Sequence, residues 1–430
     1  MTLRSGPVRG VARAAGILAL AASAGVAGGT AGSGSGSGSG WGSGARPKTL
    51  AARTAVAPSR SLSLSPSRSD SLPWSLRFAR SVVRRSPIVH EKWDYTAGLM
   101  LDALDRVASR TGDRELAAYV RRNVDRLVQP DGTILTYDPE ELSLDEIEEG
   151  NIVLTLWERT REVRYRKAVE TLREQLRRMP RTSEGGFWHK RIYPQQMWLD
   201  GIYMAGPFYA RYGGAFGEGA AYDDVARQVL LAARHLRDPR TGLYWHGWDA
   251  AHAQIWADRQ TGVSPSFWGR ALGWYAMALV DVLDVLPATH RDRPQIARLL
   301  RDLAPALARV QDPESGLWYQ VLDQPNRAGN YHEASASSMF VYALAKGARR
   351  GWLPPEYLDV ARRGFDGIVR ELVRTNPDGT VSLTGVCAVA GLGGKQQRDG
   401  SFDYYVHEPV VTDDYKGVGP FIMAALELNR

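Results

Sequence analysis

Asp200 is the one acid in QQMWLDGIYMAGPFYARYG (195–213), an almost unbroken run of apolar and aromatic side chains. Met197, Trp198, Leu199, Ile202, Tyr203 and Met204 cover nearly every direction around a helix, so the segment is expected to be buried all round. Pro194 and Pro207 are expected to bracket it. A carboxylate there loses hydration, which raises its pKa. An acid that keeps its proton near neutral pH can act as a general acid. A helix-start acid can equally cap free N–H groups, and composition alone does not choose between the two.

Two histidines offer partners. His189 in GFWHK and His246 in GLYWHGWD each follow a glycine turn and a Trp. A lone His is usually structural, but two at matched positions point to a shared cleft. No His-x-x-His or Glu-x-x-His helix pattern supports a zinc site, and no metal is expected. SPSFWGRALGWYAMALVDVL (264–283) brings Trp268, Arg270 and Trp274 close together. An Arg flanked by Trp can fork onto a carboxylate while the rings stack on a sugar; the alternative is an Arg paired with a core acid. The two Trp lie six apart and cannot share a helix face. Asp145, in LSLDEIEEGNIVLTLW, is a second acid at a helix start, although Glu146, Glu148 and Glu149 beside it also fit a solvated acidic face or an N-cap. G-x-x-x-x-G-K-[ST] and Gly-x-Ser-x-Gly are absent, and GLGG (391–394) is too short for a dinucleotide fingerprint. No cofactor is expected.

The elements that must position these residues are helices. In QIARLLRDLAPALARV (295–310), Ile296, Leu299, Leu300, Leu303, Leu307 and Val310 recur at helical spacing. ELAAYVRRNVDRLV (115–128) repeats the pattern, and strand signals are scarce. QPDGTI, SEGGFW, DPRTGLYW, DPESGLWY and NPDGTV each end a helix in a glycine turn, with the glycines at 132, 186, 242, 316 and 379. Every step fits two helices. With an opening hairpin around EKWDYTAGLMLDAL (91–104), this gives about six helix hairpins. Six hairpins can close into a double ring, an all-α (α/α)6 barrel; an open solenoid is the alternative, usually with shorter and less aromatic repeats. In the closed ring, the glycine turns line a bowl over the ends of the inner helices.

Charge and composition narrow the function. Residues 1–86 hold eleven Arg and one Lys against the single acid Asp70, a net +11, which leaves about −4 on the rest of a chain whose total is +7. The positive charge belongs to the leader, which argues against a nucleic-acid-binding domain. Arg4, Arg9 and Arg13 precede AAGILALAASAGVAGG and small residues, the pattern of a signal peptide over 1–30. The apolar stretch is short, so export to periplasm or medium is expected rather than a stable membrane anchor. GSGSGSGSGWGSG and the Ser/Pro/Arg-rich stretch after it form a linker over 31–71. The catalytic domain is expected over 72–430. Cys387, the single cysteine, reads as a buried small hydrophobe. Trp (13) and Tyr (18) exceed Phe (9), a bias common in sugar sites.

QMWLDGIYMAGPFYARYG, FWGRALGWYAMALVDVLDVLP, GNYHEASASSMFVYALAKG and KGVGPF, in order from about Trp74 to the C-terminus, resemble the unsaturated rhamnogalacturonyl hydrolases of glycoside hydrolase family 105. The resemblance implies an (α/α)6 barrel. It also implies an unsaturated oligosaccharide substrate left by a polysaccharide lyase, hydrated at the vinyl ether double bond of its terminal uronic acid. Asp200 takes the proton-donor position and Asp145 that of the second acid, which orients the ring. His189, His246, Trp268, Arg270 and Trp274 match pocket positions, with Arg270 the candidate for the uronate carboxylate and Tyr95 a further pocket candidate. The sister activity on unsaturated glucuronyl oligosaccharides from glycosaminoglycan or ulvan, an inverting glycanase and a non-catalytic sugar-binding protein are the alternatives.

Overall fold

The computed structural model describes residues 72–430; the expected signal peptide (1–30) and linker (31–71) lie outside the described residues. The described residues form thirteen α-helices and three two-stranded antiparallel pairs of very short strands. After α1 (Trp74–Arg85), five consecutive hairpins follow: α2 (Tyr95–Thr111) with α3 (Arg114–Leu127), α4 (Gly150–Thr160) with α5 (Val163–Arg178), α6 (Leu199–Phe216) with α7 (Ala220–Leu236), α8 (Gly269–Val285) with α9 (Arg293–Arg309), and α10 (Ala334–Arg349) with α11 (Tyr357–Glu371). A short α12 (Phe402–His407) precedes α13 (Tyr415–Leu428). The first helix of each hairpin packs on the next, and α13 packs on both α10 and α2, which closes the ring. The sixth hairpin is made by the two ends of the described residues: α1 packs on α13, and the Ser75 N–H reaches the Arg430 carbonyl at 3.3 Å. The closed (α/α)6 barrel, rather than the open solenoid, is the fold.

Side-chain pattern separates the two layers. Inner α8 is buried at every position from Gly269 to Leu283, whereas outer α9 buries only a stripe through Ile296, Leu300, Leu303 and Leu307. Pro207 does not end α6 as the sequence suggests; it lies inside the helix. Apolar neighbours bury α6 on nearly all sides, and that packing outweighs the roughly 3 kcal/mol an internal proline costs. Among the described residues no helix is long and apolar enough to cross a membrane.

Each glycine turn follows an outer helix and leads back to the ring. Gly132, Gly242, Gly316 and Gly379 have φ between +74° and +93°. In the second turn the left-handed residue is Gly185 (φ +87°), not the expected Gly186, whose missing side chain instead makes room for the Met197 sulfur. Four residues beyond these left-handed glycines stand Thr136, His189, His246, Gln320 and Leu383. In three of the repeats the carbonyl at this place accepts an N–H from the segment opening the preceding inner helix: His189 from Leu144 (3.0 Å), His246 from Leu199 (2.9 Å) and Gln320 from Gly269 (2.9 Å). The residue after each donor is Asp145, Asp200 or Arg270. The repeat thus sets two acids and an arginine at equivalent stations on one rim, each beside the residue that closes a glycine turn.

Candidate active site

Asp200 and His246 are joined by a ribbon. Strand β1 (Gln196–Trp198) pairs antiparallel with β2 (Gly247–Asp249), Trp198 opposite Gly247, so the next residues on each side, Leu199 and His246, also meet. His246 Nε2 stands 3.1 Å from Asp200 Oδ2, off the line of an aligned hydrogen bond. His246 Nδ1 lies 2.7 Å from the Tyr405 hydroxyl, on α12. His246 is fully buried, while the Asp200 side chain keeps 14 % exposure in a helix whose neighbouring positions are closed. The expected burial all round therefore holds for the helix but not for its acid. The capping role does not hold: the N-cap residue of α6 is Trp198, and among the described residues no backbone N–H donates to the Asp200 carboxylate.

The second pair is built alike but surrounded differently. Asp145 sits in a 3-10 turn, Leu144–Ile147, ahead of α4 rather than on an α-helix start. His189 Nε2 is 3.4 Å from Asp145 Oδ1, and Lys190 Nζ is 2.6 Å from Oδ2. Burial alone would raise the Asp145 pKa, but Lys190 and then His189 hold it below the usual carboxylate range. Burial pushes His189 down to about 4 despite the attraction of Asp145, so its imidazole is neutral at pH 7. Burial, Asp145 and Glu141 push Glu146 up to about 7. Glu148 and Glu149 do not form a solvated face: both are 1 % exposed, packed against Gly98 of α2, and their carboxyls are driven well up by burial. Asp145 is thus an ionised, clamped carboxylate.

Aromatic rings line the site. Trp198 stacks on His189 (4.4 Å between centroids) and on Tyr193 (4.8 Å). Trp268 is the N-cap residue of α8, tilted 4.8 Å from His246 and stacked 5.4 Å from Tyr405. Trp274, two turns deeper, stacks on Tyr203 (4.9 Å) and meets Tyr95 edge-on (6.5 Å). Arg270 is only 1 % exposed; its guanidinium donates to the Cys387 carbonyl (2.6 Å) and to Ser335 Oγ (3.3 Å) and lies 5.1 Å from the Trp268 ring. Cys387 itself is free and buried. The structure therefore brings Asp200, His246 and Trp268 together, Asp145 and His189 together, and Tyr95 with Trp274; Arg270 is a buried member of the same rim. Lys190 and Tyr405 were missed by reading the chain. Lys190 could have been found from its place beside His189. Tyr405 is 159 positions from His246, and no local pattern marks it.

Among the described residues one group, Asp223, His290 and Asp292, has metal-like proximity. Arg291 pairs with both acids (3.0 and 3.4 Å), and the Asp292 N–H donates to His290 Nδ1 at 3.2 Å. That bond places the ring proton on Nε2, facing Asp223, which makes the group an ion-pair cluster.

Known proteins resemble the chain over most of its length. The family described as Glycosyl Hydrolase Family 88 matches residues 74–430. A solved structure of a family 105 glycoside hydrolase from C. acetobutylicum ATCC 824 is 43 % identical, covering 83 % of this chain and 99 % of that one, with a TM-score of 0.82. The unsaturated rhamnogalacturonyl hydrolase YesR of Bacillus subtilis (strain 168) is 31 % identical over 269 residues, 61 % of this chain and 73 % of the relative. An unsaturated glucuronyl hydrolase of Bacillus sp. GL1 shares the fold at 15 % identity, with a TM-score of 0.62 over 83 % of this chain and 95 % of that one. The extent of these matches, with the closed six-hairpin ring, shows that the chain is a glycoside hydrolase and belongs to the family 88/105 group.

Proposed function

We propose that this chain is an unsaturated uronyl hydrolase whose preferred substrate is the unsaturated galacturonyl-rhamnose disaccharide that lyases release from rhamnogalacturonan I. The observation that carries the reading is Asp200: a carboxyl on the rim, partly open, backed by buried His246, whose ring in turn packs against Trp198 and Trp268. Asp200 in its acid form gives its proton to C4 of the uronate double bond. Water adds at C5 and returns a proton to the Asp200 carboxylate. The resulting C5 hemiketal opens to a ketone, which frees the ring oxygen as a hydroxyl on C1; that C1 hemiacetal collapses to an aldehyde and releases the next sugar as an alcohol, so one water is consumed and the acid is regenerated. Asp145, ionised and held by Lys190, orients the ring through its hydroxyls. The carboxyl spacing that sorts ordinary glycosidases into retaining and inverting does not govern this reaction, because the anomeric carbon is not attacked. The similarity to YesR, a rhamnogalacturonyl hydrolase by name, supports the rhamnogalacturonyl substrate. The basic, then apolar, leader supports export.

The conjugated double bond absorbs in the ultraviolet, and hydration removes the band. The purified enzyme is expected to bleach unsaturated rhamnogalacturonan disaccharide faster than unsaturated chondroitin or ulvan fragments. Bleaching of only the latter would move the enzyme to the glucuronyl activity, and no bleaching of any would end the reading.

A further inference from the structure

We infer that Tyr405 is a positioning residue that sets the tautomer of His246 and, through it, which oxygen of Asp200 carries the transferable proton. The inference rests on the reaction proposed above and adds a residue to it. His246 and Tyr405 are both fully buried. The phenol is pushed well above its ordinary range by burial, so it keeps its proton throughout the working pH range. Among the described residues its hydroxyl has one hydrogen-bond partner, His246 Nδ1 at 2.7 Å. If Nδ1 held the imidazole proton, the phenol proton would be buried with no acceptor, which is costly. Tyr405 therefore donates and Nδ1 accepts, which leaves the ring proton on Nε2.

Nε2 is the nitrogen 3.1 Å from Asp200 Oδ2. With a proton on Nε2, the ring turns the positive end of its N–H toward Oδ2 at 3.1 Å, off the line of an aligned hydrogen bond, which favours a bare Oδ2 and leaves the acid proton on Oδ1. Oδ2 is itself buried, so the exposure of the Asp200 side chain lies away from it. The transferable proton then faces the open side of the site. In the opposite tautomer, Nε2 would present a lone pair to Oδ2 and draw the acid proton inward, away from any substrate. Tyr405 is held in place from two sides. Its ring stacks on Trp268 within 13° of parallel, and its carbonyl accepts from Gln320 Nε2 at 2.9 Å. Gln320 Oε1 in turn accepts from Trp268 Nε1 at 3.1 Å. Tyr405, Gln320 and Trp268 thus form one braced unit around the imidazole.

The test is nitrogen-15 NMR of histidine-labelled enzyme, with His246 assigned by the signal lost in His246→Gln, beside steady-state kinetics of Tyr405→Phe. The expected result is a wild-type His246 protonated at Nε2 and bare at Nδ1. Tyr405→Phe, which keeps the ring on Trp268, is expected to mix the tautomers and to lower kcat about tenfold to a hundredfold with KM little changed. A wild-type His246 protonated at Nδ1 overturns the inference, and so does a folded Tyr405→Phe with kcat within about twofold of wild type. The wild-type spectrum needs no variant but the assignment one, so a Tyr405→Phe that fails to fold leaves the inference decidable. Asp200→Asn separates the two levels: if it stays fully active, the proton-donor reading fails, whereas an inactive Asp200→Asn beside an unimpaired Tyr405→Phe removes Tyr405 alone.

Discussion

At successive repeats of the ring, His189 stands 3.4 Å from Asp145 and His246 stands 3.1 Å from Asp200, each histidine four residues past a left-handed glycine. The backbone geometry is shared; the surroundings are not. The residue after His189 is Lys190, whose ammonium holds Asp145 ionised. The residue after His246 is Gly247, with no room for a side chain: a Cβ there would come within 2.6 Å of Leu392 and 2.9 Å of Trp198. His189 Nδ1 has no hydrogen-bond partner among the described residues, whereas His246 Nδ1 faces Tyr405. One duplicated scaffold thus carries a fixed anion at one station and, at the next, an acid with no Lys or Arg paired to it among the described residues. The two stations differ by one residue in each turn and one distant tyrosine, not by a change of fold.

The widest separation between the two stations should appear on removing the histidines. On the proposed reading, in which the imidazole orients the Asp200 donor, His246→Gln is expected to lower kcat about a hundredfold. His189→Gln replaces a ring already neutral at pH 7 and is expected to lower kcat less than about tenfold. Equal losses in the two variants would erase the distinction.

A smaller effect is written in stability against pH at the Asp145 station. His189 drops from 6.5 to about 4 on folding, so between those values the unfolded chain binds more protons and stability rises with pH. Glu146 rises from 4.5 to about 7, so over nearly the same window the folded chain binds more protons and stability falls as pH rises. The two slopes oppose each other, each worth roughly 2–3 kcal/mol across the window. Glu148 and Glu149, also raised by burial, add falling slopes of their own. The Glu146 slope is therefore read as a difference: in denaturant unfolding from pH 4.5 to 6.5, Glu146→Gln should lose less stability with rising pH than the wild type, by roughly 2–3 kcal/mol across the window. Parallel profiles for variant and wild type would show that Glu146 does not titrate differently on folding.

Much of this arrangement was legible in the chain. Five glycine turns and apolar stripes such as Ile296–Leu300–Leu303–Leu307 carry local periodic signals, and they led to the six-hairpin barrel. The sixth hairpin was less visible because its halves, α1 and α13, lie at opposite ends of the described chain. Pro207 misled because propensity speaks for an isolated helix, and burial of α6 overrides it. The acidic run at 145–149 reads as a solvated face until α2 closes over it at Gly98; burial of Glu148 and Glu149 is a tertiary fact. The matched histidines were visible as a repeat. Their different partners were not, since Tyr405 arrives from the long connection between α11 and α13.

The division of roles between the two acids is tested most directly by the rate of ultraviolet bleaching of unsaturated rhamnogalacturonan disaccharide by Asp200→Asn and Asp145→Asn, both checked for native unfolding midpoints. With Asp200 as the donor, Asp200→Asn loses about a thousandfold or more in kcat, as removal of a general acid does, while Asp145→Asn keeps measurable turnover with a raised KM. The reverse ranking, with Asp200→Asn active and Asp145→Asn silent, would contradict this division and move the proton donor to the other station.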